Sequence, residues 1–157
     1  MMNKVVILKT PNADTRSMQK LDYKLVKEDT INHIIAVQDV INELSNVLRL
    51  QGIKHDYTKL DSFDEFFEDM SATIKTDAKF KSLSWWKKHL EERHHLNDRC
   101  PDDVNLLDVI EMIADMVCAG KARSGNVYPV ELNNEILQKA VSNTVKMLIE
   151  MVVVDDE

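Results

Sequence analysis

His55 and Asp56 stand side by side and hold an imidazole nitrogen and a carboxylate oxygen a short distance apart, which is a start on a divalent-cation site. A His-Asp pair alone says little. The other four histidines, His33, His89, His94 and His95, and the later carboxylates Glu111 and Asp115 can all be placed with it in one cluster. Mixed imidazole and carboxylate donors favour transition metals over Mg, so Mn, Fe, Co, Ni or Zn is expected, as one ion or two. Four cationic side chains stand where they could meet a phosphate: Arg16, Lys59, Lys121 and Arg123. Each also has a plain structural reading, as part of a solvated loop (Arg16), a surface lysine (Lys59) or a helix C-cap cluster (Lys121, Arg123).

The elements that must position these residues read as helices. Three glycines and three prolines in 157 residues, with a high content of Leu, Ile, Val, Met, Lys and Glu, point to an all-α class. That length suits one domain, expected at 21–154, preceded by an N-terminal arm or short strand over 1–20 whose β-branched core is Lys4 to Leu8. The pattern from Asp29 or Thr30 to Gln51 predicts a helix closed by Gly52, with His33, Val37, Val40, Leu44 and Val47 on one face. An antiparallel return after this helix would bring His33 to His55-Asp56.

Phe63, Phe66, Phe67, Met70 and Ile74 predict an amphipathic helix over 61–74, and residues 75–82 a polar linker. A helix from Ser82 or Ser84 to His95 would carry His89 and place His94 and His95 at its C-terminal end, where the dipole favours protonated imidazole. Pro101, Asp102 and Asp103 announce a helix over Val104–Ala119 closed by Gly120. Asp108, Glu111 and Asp115 fall in one sector of it, and carboxylates on so apolar a helix need a partner or a metal. A last helix is expected from Pro129 to about Val153, with Val152–Val154 available for self-association as a homodimer.

A net charge of −7 argues against a long nucleic acid as partner. Cys100 and Cys118 form no CxxC pair and read as reduced thiols, no apolar run reaches the roughly 18 residues of a spanning helix, and no secretory pattern opens the chain; a cytoplasmic protein without a membrane partner is expected.

The order His33, His55-Asp56, the histidines 89, 94 and 95, then Asp115 resembles the HD-domain superfamily of metal-dependent phosphohydrolases. More narrowly, His55-Asp56-Tyr57-Thr58-Lys59, the block of Trp86, His89 and His94-His95, and Glu111 to Asp115 look like small HD-like proteins of bacteriophages and bacteria, as do Ala13 to Ser17 and Ala119 to Gly125. The resemblance covers about residues 13 to 150. It implies a single HD-like bundle of five to seven helices, and His33, His55, Asp56 and Asp115 around one divalent metal. His89, His94 and His95 would hold a second metal or meet the substrate. The implied activity is hydrolysis of a small phosphate ester, a nucleotide, in the host cytoplasm if the chain is phage-encoded. Lys59, ahead of Lys121, Arg123 and Arg16, would offset phosphoryl charge. Where some nucleotidase members carry an acid one turn after His-Asp this chain has Lys59, which leaves Glu111 as the candidate for proton transfer. A two-iron oxygenase and a non-catalytic, nucleotide-binding or partner-blocking phage protein are the alternatives.

Overall fold

Thirty-two residues without a proline form the longest element, α1 (Tyr23–Lys54). It starts earlier than its periodicity suggests and runs through Gly52, which is therefore not its terminator. A mid-helix glycine costs about 1 kcal/mol relative to alanine, too little to stop a long helix. The chain turns instead at Asp56, which takes the left-handed conformation at φ 58° and is the one non-glycine residue to do so among those described.

The computed structural model describes residues 2–14, 16, 21–76, 83–127 and 129–155, and these are mostly helical. After α1 come α2 (Tyr57–Asp61), α3 (Phe63–Thr76), α4 (Ser84–His89), α5 (Leu106–Ser124) and α6 (Asn134–Met151), with two short strands, β1 (Val5–Leu8) and β2 (Val152–Asp155). Most of the linker read over 75–82 lies outside the described residues. No described helix is long and apolar enough to cross a membrane. The chain divides into two units, one of Met1–Arg49 with Val145–Glu157 and one of Leu50–Thr144.

In the first unit β1 pairs in parallel with β2, Val5 against Val152 and Leu8 against Asp155. The strand expected near the N-terminus is there, and its partner is the valine run that read as the end of the last helix. β-Branched side chains favour the extended form once a ladder is available, so α6 stops at Met151 and the valines leave it. Lys4 Nζ donates to Glu150 O at 2.6 Å and Asn3 N to Glu43 Oε1 at 2.8 Å, which fixes β1 from both sides.

In the second unit, α5 opens on a capping box. Asn105 Oδ1 accepts from Leu107 N at 2.8 Å while Asp108 Oδ2 accepts from Asn105 N at 2.9 Å. The helix passes through Gly120, which is buried, and ends on Gly125 with φ 75°, one turn later than the expected Gly120 stop. Its apolar side, Val109 and Met112, packs with Leu96, Val104 and Ala140 into the core. From α6, Asn143 Nδ2 donates to the carbonyls of Asp102 and Val104, and Thr144 Oγ1 accepts from Leu106 N at 2.9 Å. These bonds hold the entry to α5. Between α3 and α4, Phe66 packs on Trp85 with ring centroids 4.4 Å apart, and Asp69 accepts from Trp85 N at 2.9 Å, satisfying a free N–H of the first turn of α4.

Candidate metal centre

The turn between α1 and α2 carries His55 and Asp56, and the Asp56 carboxylate is spared from capping α2 by an unusual route. Asp56 is the N-cap of α2, yet its own side chain caps nothing. Glu92 does that work from another segment: its Oε2 accepts from Asp56 N at 2.8 Å and its Oε1 from Thr58 N at 3.1 Å. The Asp56 carboxylate is thereby turned toward the histidines. Oδ1 lies 3.4 Å from His89 Nε2 and 3.6 Å from His94 Nε2, and Oδ2 lies 3.7 Å from His55 Nε2. His89 Nε2 and His95 Nε2 are 2.8 Å apart.

The histidines reach this place because α4 ends at His89 and the chain continues in tight turns through His95. The sequence predicts one helix through all three. Five residues beyond His89, a helical His94 would point about 140° away from it; breaking the helix is what lets 89, 94 and 95 converge. His94 and His95 are therefore not at a helix terminus, and no dipole favours their protonation. Burial, with His94 and His89 beside it, pushes His95 down to about 4. Burial also lowers His94, but the carboxylates of Glu111, Asp56 and Glu92 outweigh it and leave that imidazole above its ordinary value.

α5 adds Glu111 and Asp115, four residues and one turn apart. His55 Nδ1 lies 3.1 Å from Glu111 Oε1 and His55 Nε2 lies 3.4 Å from Asp115 Oδ1. Glu111 also approaches His94 Nδ1, at 3.4 Å. Burial raises the Glu111 carboxyl, but His94 and His55 more than offset this and hold it below the usual range. Burial likewise raises Asp56, and the Lys59 ammonium in direct contact with its Oδ2 reverses the shift.

Two tautomers follow from hydrogen counting. Thr58 Oγ1 has one proton and donates it to Glu92 Oε1, so its contact with His89 Nδ1 at 2.7 Å is a hydrogen bond donated by the ring. His89 then presents a lone pair at Nε2. Burial, the first cause, and Lys59 depress its pKa and keep the ring neutral. In the same way His55 donates from Nδ1 to the Glu111 carboxylate and points Nε2 at Asp115 and Asp56. This carboxylate-to-imidazole bracing is how metal-ligating histidines are oriented.

Two groups of converging donor atoms result, each within 4.8 Å: Asp56, His89, His94 and His95, and His55, His94 and Asp115. Asp56 Oδ1 and both ring nitrogens of His94 are buried and make no hydrogen bond among the described residues. Buried polar atoms left without hydrogen bonds are costly, and Asp56 Oδ1 lies 3.6 Å from His94 Nε2, a spacing that two ligands of one divalent cation can have. The residues present can hold a metal ion.

The structure does not bring every expected residue here. His33 is exposed on α1, lies in the first unit and belongs to neither group. Its expected place needed a return of the chain before His55, and α1 is unbroken through Lys54. Arg16, also in the first unit, pairs with Asp14 through its Nε and Nη2. Lys121 and Arg123 are exposed in the last turn of α5, about 9 and 12 Å along the helix from Asp115. Lys59 alone of the four cations touches a donor of the cluster. Sequence reasoning missed Thr58 and Glu92, whose signal is only a buried acid three residues after a buried histidine. It also missed the pairing of Arg93 with Asp108. Arg93 Nε and Nη2 donate to the two oxygens of the fully buried Asp108 at 2.8 and 2.7 Å, which ties the histidine-bearing turn to α5.

No curated protein and no solved structure matches the chain. Residues 22–153 match a family described as a family of unknown function (DUF5662), and the chain belongs to that family.

Proposed function

We propose that this protein is a metal-dependent phosphohydrolase acting on a small phosphate ester, a nucleotide being the leading class. The observation that carries the reading is the pair of adjoining donor groups, lined by buried atoms that make no hydrogen bond among the described residues. Asp56, His89 and His95 would hold one divalent cation and His55 and Asp115 a second, with His94 completing one of the two because a neutral imidazole has a single lone pair to give. When bound, such a cation supplies a water acidic enough to attack phosphorus near neutral pH and a positive contact for a phosphoryl oxygen. Glu111 and the pair Thr58 and Glu92 keep His55 and His89 in the tautomers that ligate. Lys59, partly exposed beside Asp56, is the residue to receive phosphoryl charge. The resemblance to HD-domain proteins in the order of His-Asp, histidines and Asp supports the same reading.

The test is elemental analysis of purified protein followed by phosphate release from a nucleotide panel with Mn, Fe, Co, Ni or Zn. His55→Ala and Asp56→Ala are expected to abolish release. Undiminished release in either variant would falsify the assignment. The presence of two neighbouring donor groups also leaves room for a second reading, a two-iron oxygenase. Two irons per chain with oxygen consumption and no phosphate release would select it.

A further inference from the structure

On α3, away from the metal centre, four large apolar side chains are left uncovered. Phe63 is 53 % exposed, Phe67 63 %, Met70 43 % and Ile74 85 %, whereas Phe66 turns the other way onto Trp85. Their spacings of four, three and four residues put them on one stripe of the helix, the layout of a coiled-coil seam. Leu60, on the preceding α2, is also 80 % exposed. A contiguous apolar stripe of this kind on a soluble surface marks a contact site.

We propose that this stripe is the interface of an antiparallel homodimer, α3 of one copy lying along α3 of the other. The spacing is palindromic about the midpoint of Phe67 and Met70. A two-fold axis there sets Phe63 against Ile74 and Phe67 against Met70, each an aromatic ring against a flexible or branched aliphatic chain. The charges on α3 have the same direction. Asp64, Glu65, Glu68 and Asp69 occupy its first half, and Lys75 its last turn, after which the sequence to residue 81 carries three lysines, Lys75 included, against one aspartate. Antiparallel pairing sets Lys75 opposite Ser62 of the other copy, two residues or about 3 Å along the helix from Asp64, twice; parallel pairing would stack acid on acid.

The full-length protein is tested by sedimentation velocity over a concentration series at low salt. The expected result is a dimer that Phe67→Lys and, independently, Ile74→Lys convert to a monomer with unchanged far-ultraviolet circular dichroism. Lys75→Glu is expected to weaken the dimer roughly three- to tenfold, and Asp64→Lys with Lys75→Glu to restore it. A monomer at every concentration, a dimer that survives both lysine substitutions, or dissociation by Ile34→Lys on the exposed face of α1 instead, would overturn the proposal. So would failure of the double charge exchange to restore the Lys75→Glu loss. A monomer would leave the stripe to a different protein or to a membrane.

Discussion

Thr58 has a single hydroxyl proton, and Glu92 takes it. That small fact decides which nitrogen of His89 faces the cluster. Replacing Thr58 with Val takes from buried His89 Nδ1 its hydroxyl acceptor, while Glu92 Oε1 keeps the backbone N–H of residue 58, at a cost of about 1–3 kcal/mol in denaturant unfolding. The same substitution is expected to weaken metal binding about 10- to 100-fold by calorimetry, with Thr58→Ser close to the parent. His95 gives a second prediction at this scale. Its folded value of about 4 lies below the ordinary 6.5, so between those pH values the unfolded chain takes up a proton that the folded chain refuses. Metal-free protein should therefore lose stability as pH falls from about 6.5 to about 4, by on the order of 2–3 kcal/mol from this group. His94 shifts the opposite way, so the check is by difference: the loss over this window is smaller in His95→Gln. The ligand-type residues were legible in the sequence because few residue types bind metals. Thr58 and Glu92 were not, since nothing in a threonine or a glutamate announces that a histidine leans on it.

At the scale of elements, helix identity was legible and helix ends were not. Apolar periodicity located α1, α3, α5 and α6, but tertiary bonds chose where they stop. Gly52 and Gly120 looked like terminators and lie inside helices, while the left-handed residue after α1 is Asp56, held by Glu92. α4 stops at His89, and the stop lets His94 reach the side of His89 that a continued helix would turn it away from. The pair of Arg93 and Asp108 then holds the resulting turn against α5. Asp108→Ala removes the buried partner and also the second half of the α5 capping box. About 2–4 kcal/mol of stability should be lost in denaturant unfolding, less than for a fully buried pair because Arg93 is 37 % exposed. Metal affinity should fall with it, since the turn that delivers His94 and His95 loses its anchor.

For the whole molecule, low glycine and proline content made the helical class legible. The strand pair was only half legible: β1 showed its β-branched residues, but no local signal links Val5 to Val152. The candidate metal centre has its own whole-molecule signature. A cation that binds only the folded chain at 100 times its dissociation constant adds about 2.7 kcal/mol. For a chain of this size that is a rise of about 5–10 °C in Tm, reversed by chelator and absent in Asp56→Ala. A Tm indifferent to every divalent metal would leave the orphaned atoms of Asp56 and His94 without the partner assigned to them. The parallel ladder of β1 and β2 also sets an order of events during translation. Val5 leaves the ribosome 147 residues before Val152, so β1 waits long for its hydrogen bonds, while Leu50–Thr144 already has every residue of its own unit in hand. Nascent chains stalled just short of residue 152 should present the backbone edge of β1 that pairs with β2 in the finished protein.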